Sequence, residues 1–153
     1  MKQINLILLI FVLVIANACK KENKDIEASF IEESISKIKI NPNVKWIVIL
    51  PGLGCHGCIQ EGEGFMQDYI ENKDILFVLT KIESLKILQK KINISIKEHT
   101  NIYLDRSRVF DIPTDNTIYP CIVQLEKNKV ISHEFQSPDN STAFQNLKEL
   151  LAK

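Results

Sequence analysis

The sequence has no excess of charge of either sign, because 19 lysines and arginines balance 19 aspartates and glutamates. A chain without a net positive field has no general attraction for nucleic acid or for an anionic membrane surface, so we predict no nucleic-acid partner. The sequence also lacks internal repeats and low-complexity segments. Its 153 residues, 45% of them hydrophobic, are enough for one domain with one sizeable core.

A hydrophobic run long enough to cross a bilayer is also missing. The longest apolar stretch runs from Leu6 to Ala16, whereas a membrane-spanning helix needs about 20 residues. The stretch follows Lys2 and leads into small residues, which is typical of a secretory signal peptide and its cleavage site. We therefore predict that residues 1–18 are a signal peptide.

The residues at the end of this stretch, Ala16, Asn17, Ala18 and Cys19, resemble the lipobox of bacterial lipoproteins. The resemblance implies that Cys19 is diacylated, becomes the new N-terminus and anchors the protein to a lipid membrane, since more than one acyl chain gives stable anchoring. The polar residues that follow predict a flexible tether. We expect residues 19–27 to be anchor and tether, and residues 28–153 to be a folded domain in the bacterial cell envelope, facing the periplasm or the cell surface.

Cysteine is scarce, with four residues in the chain. If Cys19 carries the anchor, Cys55, Cys58 and Cys121 remain in the mature domain, and three cysteines cannot all pair. Thiols outside the cytosol tend to be oxidised. We expect Cys55 and Cys58 to cycle or stay bonded, and Cys121 to be a buried, inert thiol.

Hydrophobic periodicity predicts alternating strands and helices. Trp46–Leu50 and Ile75–Leu79 are continuous apolar runs, typical of parallel strands buried on both faces. The other predicted elements are helices at about Ile26–Ile38, Ile59–Ile70, Ser84–Ile92 and Asn140–Leu151, a strand at Ile102–Leu104, and a hairpin of Cys121–Leu125 with Val130–Phe135. This order indicates an α/β sandwich with a mixed central sheet.

Two cysteines three residues apart at the first turn of a helix lie on one face and can form and break a disulfide. We predict that Cys55 is exposed at the helix N-terminus, where free amides and the dipole favour a thiolate, and that Cys58 is the inner, resolving cysteine. His56 is a candidate for redox tuning, because a positive imidazole favours a neighbouring thiolate. A solvated histidine without a role is the alternative.

Two other uses of the cysteine pair stay open. A structural disulfide that closes so short a loop contributes only about 2 kcal/mol on the chain-entropy model. A zinc or copper site needs two further ligands, and the candidates Cys121, His99 and His133 each stand alone in their segments. Ile59 occupies the position where attachment of a c-type haem would require histidine. We predict no metal and no cofactor beyond the dithiol.

Two motifs carry a resemblance to a known family: Gly54-Cys55-His56-Gly57-Cys58 after a buried strand, and Tyr119-Pro120 at the start of a later strand. With the order of elements, they make the chain from about Val44 onwards resemble the thioredoxin superfamily, and with its lipobox it looks most like the tethered thiol-disulfide oxidoreductases of bacterial envelopes. The resemblance implies a thioredoxin-like three-layer α/β/α sandwich that exchanges disulfides with cysteine-containing envelope proteins. It also implies a cis Tyr119-Pro120 bond beside Cys55, where backbone groups are offered to a partner's extended segment.

The sequence departs from the family pattern near the cysteines. Gly54 replaces an aromatic residue, and Ile49 stands where many members have an acidic residue that deprotonates the resolving cysteine; Glu61 or Glu83 are possible substitutes. Several glycines after the motif predict a helix that begins late or irregularly. A non-catalytic partner-binding domain and a metal-delivering lipoprotein on the same fold therefore remain as alternatives, and the oligomeric state is left open.

Overall fold

The computed structural model of the protein describes residues 23–152. The described chain begins with helix α1 (23–36). The elements that follow are, in order, β1 (Trp46–Pro51), α2 (His56–Tyr69), β2 (Ile75–Thr80), α3 (Leu85–Ile92), β3 (Ile102–Asp105), β4 (Cys121–Glu126), β5 (Lys129–Phe135) and α4 (Ala143–Leu151). Two short 3-10 turns, Ile96–Glu98 and Asp115–Ile118, lie before and after β3.

The strands of the described residues form one mixed sheet in the order β3-β2-β1-β4-β5. The first three strands are parallel, whereas β4 runs antiparallel to β1, and β5 antiparallel to β4. Parallel crossovers are right-handed, and since both crossovers step in the same direction, α2 and α3 lie on the same side of the sheet. The arrangement is a thioredoxin-like α/β sandwich, and the predicted fold class is confirmed.

The central strands β1 and β2 are apolar along nearly their whole length because both of their faces are covered. All six residues of β2 are buried, and in β1 only Trp46 is partly exposed. Side chains alternate between the two faces, so that Val48 and Leu50 join one core while Ile47 and Ile49 join the other. The predicted strands match the observed ones to within one residue at each end.

Each face of the sheet carries its own core. The three-helix face is covered by α2, α3 and α4, and there the Phe65 ring packs 4.9 Å from Phe144 and 6.3 Å from Phe77, centroid to centroid. The single-helix face is covered by α1 and by residues 106–120, here called the crossing segment, which joins β3 to β4. Its core contains Ile31, Ile35, Ile47, Ile49, Phe110, Ile112, Cys121 and Val123.

Helix α1 begins earlier than the sequence predicted. Residues 23–27, assigned to a flexible tether, are helical, and Glu27 is only 3% exposed. The predicted helix start at Ile26 is three residues late, and the tether ends earlier than predicted, because Glu27 is buried and makes hydrogen bonds with the crossing segment, 87 and 89 residues further along the chain. The predicted signal peptide, Cys19 and the first part of the tether lie outside the described residues.

Helix α2 also begins earlier than expected. It starts at His56, directly after Cys55, and runs without interruption to Tyr69. Gly62, expected to weaken this helix, allows close packing instead, since a Cβ atom there would lie 2.5 Å from the Leu50 side chain and 3.3 Å from the Phe144 ring. The packing at Gly62 offsets the low helix propensity of glycine.

Candidate active site at the Cys55–Cys58 disulfide

Cys55 and Cys58 are joined by a disulfide, with their Cα atoms 5.4 Å apart. The pair lies where β1 passes into α2, at the carboxyl ends of the parallel strands β1 and β2. The loop before it is fixed to the sheet, because the Gly52 amide donates to the Thr80 carbonyl at 2.8 Å. Ligands and reacting groups of α/β sheets commonly lie at this edge.

The two cysteines differ in depth, as predicted. Cys55 is the N-cap residue of α2 and is partly exposed, whereas Cys58 lies in the first turn and is 8% exposed. Among the described residues, no side chain makes a capping hydrogen bond to this helix end, and the first turn contains no acidic residue. Cys55 therefore stands at the positive end of the α2 dipole without a competing carboxylate in that turn, which favours a thiolate in the reduced form.

A backbone carbonyl of the crossing segment holds Cys55 in place. The Cys55 amide donates to the Ile118 carbonyl at 3.0 Å. Gly54 has φ of +147°, and a Cβ atom on it would collide with the Ile118 carbonyl. Glycine is required here for both reasons, which explains why no aromatic residue stands at this position.

The Tyr119-Pro120 bond is trans, since none of the peptide bonds among the described residues is cis. The prediction of a cis bond was wrong. It depended on the resemblance alone, whereas X-Pro bonds favour trans by about 0.5–1 kcal/mol and the trans chain already brings Ile118 to Cys55. Pro120 is buried, and its carbonyl accepts a hydrogen bond from the backbone amide of Gln136 at 2.9 Å. Tyr119 is partly exposed.

An ion pair supports the crossing segment from the β2 side. Lys81 Nζ lies 2.6 Å from Asp111 Oδ1 and 2.5 Å from Thr117 Oγ1, and the Thr117 hydroxyl lies 2.9 Å from the same carboxylate oxygen. Burial raises the pKa of Asp111, but the hydrogen bonds from Lys81 and Thr117, with the charges of Lys81 and Arg108, outweigh it and leave this pKa below its ordinary value. Because Thr117 precedes Ile118, this ion pair helps to place the carbonyl that binds Cys55.

Of the two acidic residues considered as proton acceptors, Glu61 has a hydrogen-bond partner and Glu83 lines a cleft. The Glu61 carboxylate, one turn after Cys58, accepts a hydrogen bond from the side-chain amide of the buried Gln136. Glu83 lies at an open cleft of about 520 Å³ beside the disulfide loop, lined also by Leu53, Lys81, Ile82, Arg106 and Arg108. Ile49 is buried and pairs in register with Cys121.

Cys121 is a buried, free thiol, as predicted. Burial raises its pKa well above the ordinary value, and the nearby carboxylates of Glu27 and Glu134 raise it further. A thiol that stays protonated is a poor nucleophile. Cys121 is the first residue of β4, and its side chain belongs to the core of the single-helix face.

The remaining histidines have separate environments. His56 is the first residue of α2 and is exposed. His133 is buried with its Nε2 atom 3.1 Å from Glu27, and His99 Nδ1 lies 3.5 Å from Glu71. Within residues 23–152, no three histidine, cysteine, aspartate or glutamate side chains are grouped as metal ligands would be.

None of the helices described by the structure is long and apolar enough to cross a membrane. Comparisons of the chain with protein-family models, with curated proteins and with solved structures gave no match. The geometry around Cys55 and Cys58 is thus what supports a function.

Several residues that shape this site were not found from the sequence. Ile118 acts through its backbone carbonyl, which leaves no signal in the residue type. Glu27, Thr114 and Asn116 form one hydrogen-bonded group, but they come from segments far apart in the chain. Gly54 could have given a signal, because a glycine next to Cys55 is compatible with the close approach of another backbone, but no prediction above rests on it.

Proposed function

We propose that this chain is a thiol-disulfide oxidoreductase of the thioredoxin superfamily that exchanges disulfides with cysteine-containing envelope proteins. The observation that carries the proposal is the disulfide at the uncapped end of α2, with Cys55 partly exposed and Cys58 buried one turn inward. A structural disulfide has no need of this asymmetry. An attacking and a resolving cysteine do need it, because one must meet the partner and the other must wait.

The bonds and electrons of the proposed exchange balance without a cofactor. In the reduced domain, the Cys55 thiolate attacks a disulfide of the partner, forms a mixed disulfide and releases one partner thiolate. Cys58, after losing its proton to solvent, then attacks the Cys55 sulfur, re-forms the Cys55–Cys58 bond and releases the second partner thiolate. The partner gains two electrons and the domain loses two; with a dithiol partner, every step runs in reverse.

Three further assignments belong to this proposal. Tyr119 and Pro120 lie just after the Ile118 carbonyl, and the backbone group that this pair offers to a partner segment is the Tyr119 carbonyl, because the Tyr119 amide donates to Asn116 and the Pro120 carbonyl accepts the Gln136 backbone amide. His56, exposed beside Cys55, favours the thiolate when its imidazole is protonated. Cys19 carries the lipid anchor that keeps the protein at an envelope membrane, which mass spectrometry of the mature N-terminus tests: an unacylated chain that retains residues 1–18 would refute the anchor.

Trapping with a defined substrate tests the reaction itself. Reduced Cys58→Ser, mixed with a peptide dimer joined by one disulfide, should accumulate a protein–peptide mixed disulfide that reductant releases, because the second attack is lost. The wild type and Cys121→Ser should turn the peptide over without accumulation, and Cys55→Ser should capture nothing. Iodoacetamide should modify Cys55 first, with a pH midpoint below the roughly 8.5 of a free thiol.

One combination of results would contradict the proposed function. If Cys58→Ser forms no adduct and Cys55 reacts with the pH dependence of an unperturbed cysteine, the disulfide is structural and the proposed function is wrong.

A further inference from the structure

A buried carboxylate connects α1 to the crossing segment. Glu27 Oε1 accepts hydrogen bonds from the Thr114 hydroxyl at 2.5 Å and from the Asn116 side-chain amide at 2.7 Å. Its other oxygen lies 3.1 Å from Nε2 of His133 on β5. Since the side chains of Glu27 and His133 are only 4% and 3% exposed, these contacts are shielded from water and strongly constrain the atoms involved.

The residues that Glu27 binds belong to the same short segment as Ile118, whose carbonyl binds Cys55. Thr114 and Asn116 lie at the start of the 3-10 turn Asp115–Ile118, where the Thr114 carbonyl accepts the Thr117 amide and the Asn116 carbonyl accepts the Tyr119 amide, both at 3.0 Å. The turn is thus a small unit with its own hydrogen bonds. Its last residue, Ile118, supplies the carbonyl that accepts the Cys55 amide.

We propose that Glu27 is a positioning residue for Cys55. Its carboxylate holds the 3-10 turn from the α1 side so that the Ile118 carbonyl fixes the backbone of Cys55 beside Cys58. The significance of this role rests on the proposed oxidoreductase function, but its effect on the disulfide is measurable without any partner protein.

Fixing Cys55 changes the redox equilibrium. In the reduced form, a Cys55 backbone held by Ile118 keeps the two sulfurs close, and this high effective concentration favours closing the disulfide. When a reference dithiol such as dithiothreitol reduces the pair, the S–S bond breaks, two electrons pass to Cys55 and Cys58, and the reference dithiol becomes its own disulfide. A Cys55 released from the turn should therefore be easier to reduce.

The test compares three variants of the full chain. Glu27→Ala removes the acceptor of Thr114 and Asn116. Glu27→Gln keeps a side-chain oxygen for these two residues and presents its NH2 group to His133, whose Nε2 atom can accept a hydrogen bond when the ring proton is on Nδ1. Glu32→Ala, at an exposed position of α1, is the matched control. The measurements are hydrogen exchange of the Cys55 amide and the equilibrium of the disulfide with dithiothreitol.

We expect the Cys55 amide of Glu27→Ala to exchange about tenfold faster, since local opening costs less when charged hydrogen bonds are lost. The dithiothreitol equilibrium should shift about tenfold towards the reduced form, which is about 30 mV. Glu27→Gln should restore most of both values, and Glu32→Ala should match the wild type.

If Glu27→Ala lowers the unfolding temperature while both measurements match Glu32→Ala, then Glu27 is only structural and the proposal is wrong. Should Glu27→Ala fail to fold, Thr114→Val decides, because it removes one donor with little change in shape and should give a smaller shift in the same direction. An unchanged Thr114→Val would also refute the proposal. These outcomes do not depend on whether Cys58→Ser traps a substrate, so the two proposals fail separately.

Discussion

The three-helix face of the sheet is covered by helices that satisfy most of their own backbone hydrogen bonds, whereas the single-helix face is crossed by residues 106–120, which contain one short 3-10 turn. In this segment, polar side chains supply hydrogen-bond partners that a helix or strand would find within the backbone. They include Glu27 and Ser34 of α1, Lys81 after β2 and Asp105 of β3, each bonded to a group of the crossing segment. Buried backbone groups need partners, and here side chains provide several of them.

Buried polar side chains on the other side of the sheet act at the ends of elements. Gln136 accepts the Phe144 amide near the start of α4. The Asn101 amide lies within hydrogen-bond distance of the carbonyls of Ile70, Asn72 and Ile75, between α2 and β2. The difference teaches that the three-helix face chiefly supplies stability, while the polar contacts of the single-helix face place the backbone beside the disulfide.

The largest expected effect comes from the three-helix face. Phe77→Ala should lower the free energy of unfolding by about 3–5 kcal/mol, because it leaves a cavity in the centre of the core; Phe77 is fully buried. Urea unfolding measures the change. Ile87→Ala, at a side chain 70% exposed on α3, is the control and should change it by less than about 0.5 kcal/mol. A small effect of Phe77→Ala would mean that this core carries less of the stability than we infer.

A medium effect is expected from the single-helix face. Asp105 is 4% exposed, and its two oxygens accept the amides of Val109 and Phe110 at 2.9 and 2.8 Å. Asp105→Ala should cost about 2–3 kcal/mol of unfolding free energy, since two buried amides lose a charged acceptor. Asp105→Asn, which keeps one oxygen, should cost less.

The same variant sharpens the comparison of the two faces. Asp105→Ala should also speed hydrogen exchange of the Val109 and Phe110 amides more than that of amides in β2, whereas Phe77→Ala should not prefer the crossing segment. If the two variants gave the same exchange pattern, the faces would not have separate roles.

The smallest effect concerns pH. Because the pKa of Asp111 is lower in the folded protein than in the unfolded chain, this group stabilises the fold above the unfolded value of about 4 and loses that contribution as the pH falls through the folded value. Asp111→Asn should therefore make the unfolding free energy fall less steeply between about pH 5 and pH 3 than in the wild type.

Asp139→Asn is the matched control for this pH dependence, because it makes the same change of aspartate to asparagine at an exposed position. Urea unfolding at several pH values compares the variants. A wild-type slope in Asp111→Asn would show that the ion pair with Lys81 does not contribute to acid stability.

The sequence predicted the regular elements well because their signals are local. Apolar runs such as Ile75–Leu79 have the length and composition of buried strands, and the cysteine spacing indicated the difference in depth of Cys55 and Cys58. The hairpin was predicted to within one residue as well, since its strands are close in sequence.

What the sequence did not predict depends on contacts between distant segments. Glu27 stands in a polar stretch whose composition is that of a tether, and its burial follows only from Thr114 and Asn116. The irregular crossing segment has no periodicity to detect, so the hydrogen bond of Ile118 with Cys55 was not foreseen, although the family resemblance placed the next residues, Tyr119 and Pro120, beside Cys55. The cis Tyr119-Pro120 bond was inferred from resemblance, and no local interaction in this chain requires it.

The contact of Glu27 with the crossing segment also orients the molecule. It places the first turns of α1 against the 3-10 turn whose last residue, Ile118, binds Cys55, so the chain enters the domain beside the segment that holds the disulfide. If Cys19 is acylated as proposed, it stands four positions before residue 23, and even a fully extended chain of that length spans at most about 14 Å. The segment that holds Cys55 would then stay close to the bilayer, and the partners best served would be those whose cysteines lie near the lipid surface.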